Sequence, residues 1–204
     1  MLALRAGEHA RAAEFFSRVQ RLAPSGANVI ELARALRNSD QDERALAVVE
    51  DWLQRHPGDA AVWLAAGDLH LHRGNEPGAI SAYRSALDAA PESLPAMNNL
   101  AWLLREREPD EALGLARRAV EARPDAPAVR DTLGMVLLAQ GRSEEAVDEF
   151  RKALEGAPEA PESALLTSPA ASRPRAARTK RSRFCGRSSA AAGRFLRGQR
   201  PRIC

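Results

Sequence analysis

Residues 60–93 read AAVWLAAGDLHLHRGNEPGAISAYRSALDAAPES, and this stretch decides the fold. Apolar residues fall at helical spacing within residues 59–73, and they do so again within residues 76–90. Between these segments Gly74 breaks the pattern, and the side chain of Asn75 can cap the helix that follows. The stretch therefore predicts two helices joined by a tight turn.

The same pattern recurs along the chain at steps of 33 or 34 residues, a period that indicates stacked helical hairpins. Each step ends in a proline, which stops a helix because it cannot continue the backbone ladder. The prolines are Pro24, Pro57, Pro91, Pro124 and Pro158. Small residues recur on first helices at Gly67, Ala101 and Gly134, and on second helices at Ala79, Ala112 and Ala146, with Tyr83 and Phe150 beside them. We interpret these residues as packing positions that let the two helices approach closely.

Residues 1–160 are expected to hold about four and a half hairpins, and residues 161–204 to form a tail. The chain opens in the middle of a first helix, with a partial unit over residues 1–25 that carries Gly7, Ala12, Phe16 and Pro24. The complete units are residues 26–59, 60–93, 94–126 and 127–160. One hairpin cannot offset its ordering cost of about 1.5 kcal/mol per residue, so the hairpins must stack to bury enough apolar surface.

The repeated columns resemble the tetratricopeptide repeat (TPR) family. They are Trp63, Gly67, Ala79, Tyr83, Ala86 and Pro91. The resemblance implies an all-α, right-handed solenoid that acts as a protein-interaction scaffold, with first helices lining a concave groove for an extended or helical peptide. Residues 98–104, NNLAWLL, also resemble repeat lipoproteins of bacterial exopolysaccharide and protein-sorting systems, which implies a fragment of an exported envelope protein as the alternative.

One-face spacing on the first helices nominates the groove residues. The candidates are Arg34, Asp68, Asn98, Trp102, Arg105, Asp131 and Met135, accompanied by Ile30, Arg37, Leu64, Leu71 and Leu138. Trp102 offers apolar area together with an N–H donor, or else it packs against a neighbouring unit. Asn98 can hydrogen-bond the backbone of a ligand, or else it is a solvated helix side chain. Some family members bind a terminal carboxylate through a Lys/Asn/Arg set, but the helix before Asn98 has Leu64 and Asp68 instead of a matching basic residue.

The overall charge of +3 hides an uneven distribution. Residues 163–204 contain 11 Lys or Arg and no Asp or Glu, which leaves 19 basic and 27 acidic residues, a net charge of −8, on residues 1–162. Three interpretations of the basic tail stay open. It is a disordered solvated segment, an arm that associates with nucleic acid or an anionic surface with Phe184 and Phe195 stacking, or a shifted reading frame. A protein or peptide partner for the groove is favoured over nucleic acid, since no binding motif accompanies the basic residues.

No constellation typical of an enzyme is found in the sequence. His70 and His72 lie two residues apart, so on a helix they face different sides and do not form a metal site. The two cysteines, Cys185 and Cys204, show no metal or disulfide spacing. We therefore expect a protein without catalytic activity, metal or cofactor.

The two ends of the chain give expectations about the cellular compartment of the protein and about its self-association. No apolar run is long enough to span a membrane, and the first residues do not form a secretory signal. This favours the cytoplasm if the start is authentic, and the periplasm or envelope if an upstream segment is missing. The last hairpin lacks a polar cap and would expose part of its apolar face, including Leu133, Leu137 and Leu154, so self-association through uncapped ends is expected.

Overall fold

The computed structural model describes residues 2–155, with side chains from residue 7 onward. This part of the chain consists of nine α-helices joined by short turns, and no strand occurs in it. The helices are α1 (Leu2–Leu22), α2 (Gly26–Arg37), α3 (Asp42–Arg55), α4 (Ala60–His72), α5 (Glu76–Ala89), α6 (Leu94–Leu104), α7 (Pro109–Ala122), α8 (Pro127–Ala139) and α9 (Ser143–Glu155). The all-α solenoid predicted from the repeat period is confirmed.

Each helix packs against the next one along the chain, and two neighbouring pairs of first helices also contact each other across the units. Within the described residues, α2 contacts α4 and α6 contacts α8 more extensively than any two second helices contact each other. Because the helices that approach most closely lie on the inner side of a curved stack, this arrangement places the first helices on the inner side.

Close approach within a hairpin depends on a glycine in the first helix. A methyl carbon on Gly67 would lie 2.3 Å from the Tyr83 ring, and one on Gly134 would lie 2.5 Å from the Phe150 ring. Both distances are far below van der Waals contact, so only glycine leaves room for the aromatic ring at these two positions. The packing role expected for these residues is confirmed.

The third hairpin carries different residues at this contact. At the positions equivalent to Gly67 and Tyr83 it carries Ala101 and Ala116, and both are fully buried. A small residue therefore faces a small one here, whereas glycine faces an aromatic residue in the second and fourth complete hairpins. The repeat therefore keeps a small residue on the first helix at this contact, while the size of the residue that it meets on the second helix varies.

Trp52 occupies a position where the other second helices carry alanine, and it links two hairpins. Its indole Nε1 donates a hydrogen bond to Asp59 Oδ2 at 2.9 Å, while Asp59 Oδ1 accepts one from the backbone N–H of Val62 at 3.2 Å. Asp59 thus caps the start of α4 and holds the tryptophan of the preceding hairpin at the same time.

The first helix differs from the sequence expectation. Gly7 stands at the position equivalent to Gly74 and Gly141, which have φ angles of 73° and 76° and end the first helices of their hairpins. However, α1 runs from Leu2 to Leu22 through Gly7 without a turn. A turn needs a first helix long enough to pack back on the second, and the six residues before Gly7 are too few for this.

The predicted basic tail and the two cysteines lie outside the described residues, so the three interpretations of the tail stay predictions. Among the helices of the described part, none combines the length and the apolar character that crossing a membrane requires.

Candidate functional site

The sequence-predicted groove residues all lie on the first helices α2, α4, α6 and α8 or directly after them. Four of them, Arg34, Asp68, Trp102 and Met135, occupy equivalent positions, each directly after the small residue of its helix. Because the repeat brings equivalent positions into line, these four side chains form one row along the inner side of the stack.

Asp68 is held in place by a residue from the second helix of its own hairpin. The Tyr83 hydroxyl donates a hydrogen bond to Asp68 Oδ1 at 2.7 Å. Tyr83 itself is fully buried, so its ring cannot move away from the carboxylate without opening the hairpin. The hydrogen bond therefore fixes the position of a negative charge in the row.

The groups around Asp68 shift the pKa of its carboxyl in opposite directions. Asp68 is exposed by surface area, yet the protein around its carboxyl displaces part of the water, and this desolvation raises its pKa above the usual value. The hydrogen bond from Tyr83 and the charges of Arg37 and Arg34 lower the pKa. Burial and the neighbouring negative charge of Asp68 raise the pKa of the Tyr83 phenol far above its usual range. The phenol thus stays protonated and keeps donating at neutral pH.

Two arginines on α2 face this carboxylate from the neighbouring hairpin. Arg34 is exposed and pairs with Glu31 at 3.0 Å, one turn earlier on the same helix. Arg37 is half-buried and contributes the stronger of the two charge interactions with Asp68. The structure thereby brings Arg34, Arg37 and Asp68 together into one charged region.

On α6 the sequence-predicted residues Asn98 and Trp102 lie one turn apart on the same helix face. Asn98 is 8% exposed, and its Oδ1 accepts no hydrogen bond within the described part of the chain. The Nε1 of Trp102 is likewise buried and finds no acceptor among residues 2–155. A buried donor and a buried acceptor are thus left unsatisfied near each other.

Arg105 covers the Trp102 ring. Its guanidinium carbon lies 4.3 Å from the ring centroid, and its Nη1 donates to the Trp102 carbonyl oxygen at 2.6 Å. The Trp102 ring is half-buried and packs against the core. In the structure the Trp102 ring thus packs within the array, and its N–H is covered rather than offered to solvent.

The α8 end of the inner side combines one acidic residue with two apolar ones. Asp131 and Met135 are half-buried on α8, and Leu138 is 48% exposed. Earlier in the row, Leu64 and Leu71 pack partly against the core. The four residues of the row are therefore charged on α2 and α4, aromatic on α6 and apolar on α8, with the acidic Asp131 one turn before Met135.

Two residues that contribute to this region were not among the groove candidates. Tyr83 was assigned to packing only, although a hydroxyl where the equivalent Phe150 has none signals a hydrogen-bond partner. Thr132 is 1% exposed, and its Oγ1 finds no partner within the described residues. The sequence around Thr132 on α8 gave no signal of this.

The paired histidines have separate surroundings. His70 is half-buried, its Nδ1 lies 3.1 Å from Asn75 Nδ2, and burial lowers its pKa. His72 lies 3.9 Å from Asp42, with its side chain largely exposed. In residues 2–155, no group of three or more His, Cys, Asp or Glu side chains is arranged to hold a metal ion.

Comparison with known proteins gives a family and a fold. The sequence profile described as tetratricopeptide repeat matches residues 6–168. A TPR repeat-containing protein of Pseudomonas aeruginosa is 28% identical over 147 residues, which cover 70% of this chain and 25% of the relative. This chain thus spans about a quarter of the length of that relative. An uncharacterized protein, y4yS of Sinorhizobium fredii, is 33% identical over 126 residues, which cover 59% of this chain and 68% of the relative.

Solved structures with low sequence identity share the architecture. MamA from Desulfovibrio magneticus RS-1 has a TM-score of 0.62 at 19% identity, covering 74% of this chain and 87% of its own. A thermophilic TPR protein of Thermus thermophilus has a TM-score of 0.61 at 23% identity, covering 81% and 91%. YrrB, described as a TPR protein with an unusual peptide-binding site, has a TM-score of 0.61 at 17% identity, covering 75% and 80%.

Proposed function

Because this chain belongs to the tetratricopeptide repeat family, we propose that it is a scaffold that holds a peptide segment of a partner protein along its first helices. The repeat fold supports a role in protein interaction in general, and such folds are typically non-catalytic. The description of YrrB as a TPR protein with a peptide-binding site is consistent with this role.

The unsatisfied Oδ1 of Asn98 is the observation that carries the proposal. A buried acceptor without a partner costs about 1–3 kcal/mol. The oxygen is covered in the free chain, so a peptide would have to displace a neighbouring side chain to reach it; a peptide backbone N–H would then remove this cost and favour the bound state. Asn98 lies on the first helix at the middle of the row, where a peptide along the inner side would pass.

Trp102 and Arg105 would act together as a second contact in this proposal. The Arg105 guanidinium stacks on the indole and donates a hydrogen bond to the Trp102 carbonyl oxygen. A peptide would meet the stacked pair as one flat, partly apolar surface. Aromatic and arginine side chains are the residue types that most often dominate binding energy at protein interfaces. A displaced Arg105 would also uncover the Trp102 N–H, which could then donate to a peptide carbonyl oxygen.

The change of character along the row suggests what the peptide contains. The region of Arg34, Arg37 and Asp68 fits a polar segment, whereas Met135 and Leu138 fit an apolar side chain. We therefore propose a partner segment with a polar end over α2 and α4 and an apolar anchor over α8. Binding would rest on shape and side-chain complementarity, without a covalent step.

The test is a selection of binding peptides from a displayed random library against the full chain, followed by affinity measurement on variants. We expect Asn98→Ala and Trp102→Ala each to weaken the selected peptides by about tenfold or more. Glu121→Ala, which removes an exposed side chain of the second helix α7, is the control and should leave affinity unchanged. Equal affinity of all three variants would remove the row as the binding site.

Two alternatives stay proposals. The resemblance of residues 98–104 to envelope lipoproteins would place the chain in an exported protein, and an upstream segment with a lipid-modified cysteine would support it. Nucleic-acid association through the basic tail would show a steep salt dependence that disappears when residues 163–204 are removed. Neither alternative has an observation in the described residues that favours it.

A further inference from the structure

Arg37, the last residue of α2, differs from the other arginines of the first helices because it has no direct ion pair. In the described part of the chain, every other arginine on a first helix or in the turn after one has a side-chain nitrogen within 4.0 Å of a carboxylate oxygen. They are Arg34, Arg73, Arg105, Arg107, Arg130 and Arg142. No carboxylate of residues 7–155 comes this close to Arg37, although its side chain is half-buried.

Asp68 on the next first helix interacts with Arg37 through its charge but does not form an ion pair with it. The Tyr83 hydroxyl donates to Asp68 Oδ1 at 2.7 Å, and the Tyr83 ring is fully buried. The carboxylate is thus held against its own hairpin, beyond direct contact with Arg37. A guanidinium that is partly desolvated but not paired gains free energy from an anion that reaches it.

Arg34 lies one turn before Arg37 and brings a second guanidinium to the same helix face. It pairs with Glu31 at 3.0 Å, but the side chains of this pair are 57% and 40% exposed. A surface pair of this kind contributes little free energy, so Arg34 can turn toward a ligand at small cost. Each guanidinium offers N–H donors in the planar arrangement that a carboxylate accepts. The two arginines can therefore share one carboxylate.

Asp68 supplies a contact to the same ligand rather than excluding it. Its Oδ2 accepts no hydrogen bond from another described residue, so it can accept a backbone N–H of a peptide beside an acidic side chain. Acidic residues elsewhere on the array act weakly here, because an ionic strength of about 0.15 M screens exposed charges beyond about 8 Å. A basic ligand side chain fits less well, since Asp68 already has Tyr83 as a donor whereas Arg37 has no carboxylate.

We propose, given a peptide along the first helices as in the proposed function, that the partner segment carries an Asp or Glu side chain that binds Arg37 and Arg34. The carboxylate supplies the ion pair that Arg37 lacks, and Asp68 positions the peptide backbone beside it. The polar end of the segment over α2 and α4 is thereby acidic, while its apolar anchor lies over α8.

The peptide selection with the full chain tests this proposal when the library peptides are fused through their C-termini, because their only carboxylates are then on side chains. We expect an Asp or Glu at one fixed position of the selected peptides. Arg37→Met, which keeps the apolar stem, should weaken a selected peptide by about tenfold. Arg44→Met removes the same charge from an exposed site on the second helix α3, and this matched control should leave the affinity unchanged.

A change on the peptide side shows whether the two charges meet. When the acidic residue of the peptide is replaced by its amide, the unmodified chain and Arg37→Met should bind it equally, because the interaction is already lost. A second selection against Arg37→Glu should yield Lys or Arg at the position that was acidic. Circular dichroism should report the same helix content for both Arg37 variants.

The outcomes separate this proposal from the proposed function. Peptides that respond to Asn98→Ala and Trp102→Ala but not to Arg37→Met would overturn the acidic contact and leave the proposed function standing. Peptides that respond to Arg37→Met alone would support the acidic contact and remove Asn98 and Trp102 from the binding site. A selection that yields no binding peptide would overturn both.

Discussion

The second and the last complete hairpins share one packing device but present different chemistry to the inner side. In both, an aromatic ring from the second helix fills the space left by a glycine, Gly67 under Tyr83 and Gly134 under Phe150. Tyr83 carries a hydroxyl that holds Asp68, whereas Phe150 has none, and the residue equivalent to Asp68 is Met135. In these two hairpins, the packing residue on the second helix thus matches the polarity of the residue on the inner side of the first helix.

The same two hairpins differ in how tightly their aromatic rings are enclosed. Tyr83 is fully buried between two neighbouring hairpins, while Phe150 is half-buried because no further helix follows α9 in the described array. An interior ring has neighbours on every side and a ring at the end does not. The response to the same substitution should therefore depend on position in the stack.

Adding a methyl group at the two glycines should give the largest difference. We expect Gly67→Ala to lower the free energy of unfolding by about 3 kcal/mol, because the enclosed Tyr83 ring cannot shift. Gly134→Ala should cost about 1 kcal/mol, since the Phe150 ring can move toward solvent. Urea denaturation followed by circular dichroism measures both.

Gly114→Ala is the control for this pair. Gly114 lies on the exposed side of α7, where a methyl group would meet nothing within 4 Å. Alanine should stabilise the helix there by about 1 kcal/mol through its higher helix propensity. Equal losses at Gly67 and Gly134 would contradict the claim that enclosure differs between the two hairpins.

Removing the hydroxyl of Tyr83 should have a moderate effect. We expect Tyr83→Phe to lower the free energy of unfolding by about 1.5 kcal/mol, because Asp68 loses the hydrogen bond that opposes its desolvation. Urea denaturation measures this loss as well. A second experiment introduces the Tyr83–Asp68 pair into the last hairpin through Met135→Asp and Phe150→Tyr, and tests whether the same hydrogen bond forms there.

The transplanted pair should show a favourable coupling of about 1 kcal/mol in a double-mutant cycle. Phe150→Tyr alone should bring no gain, because no carboxylate stands at position 135 to accept from the new hydroxyl. Strict additivity of the two substitutions would mean that the backbone of the last hairpin does not reproduce the Tyr83–Asp68 geometry.

The smallest expected effect is a pH dependence of the free energy of unfolding that arises from the Asp68 carboxyl. Its pKa in the folded protein is raised above the ordinary value of 3.8, so the folded state binds more protons than the unfolded state above pH 3.8. The free energy of unfolding should therefore fall as pH rises from about 4 through the folded pKa, by a few tenths of a kcal/mol after solvent screening.

Asp68→Asn removes this proton uptake while keeping an oxygen that accepts from Tyr83. Its stability relative to the unmodified chain, measured by urea denaturation at a series of pH values, should rise with pH in the mildly acidic range and then level off. Met135→Leu at the equivalent position should leave the pH dependence unchanged. Parallel pH profiles for Asp68→Asn and the unmodified chain would contradict the raised pKa.

Most of the helical framework could be predicted from the repeat, and the particular residues explain why. Gly67, Tyr83, Ala79 and Ala86 recur at a fixed period because their sizes have to match across one hairpin, and size is visible in a sequence. The bonding of groove residues could not be predicted in this way. The sequence left open whether Trp102 offers its N–H to a ligand or packs within the array, and in the structure Arg105 covers the ring and the N–H is buried.

The amino-acid sequence by itself determined that this protein is a stack of helical hairpins, because glycine, alanine, aromatic and proline residues recur at the spacing that close helix packing demands. The tertiary structure alone decided which polar groups are paired. It joined Tyr83 to Asp68, left the Oδ1 of Asn98 without a partner in the described part, and exposed Val147 and Leu154 on α9. The physical reason is that packing depends on volume, which each residue carries with it, whereas hydrogen bonding and burial depend on neighbours that only the folded chain brings together.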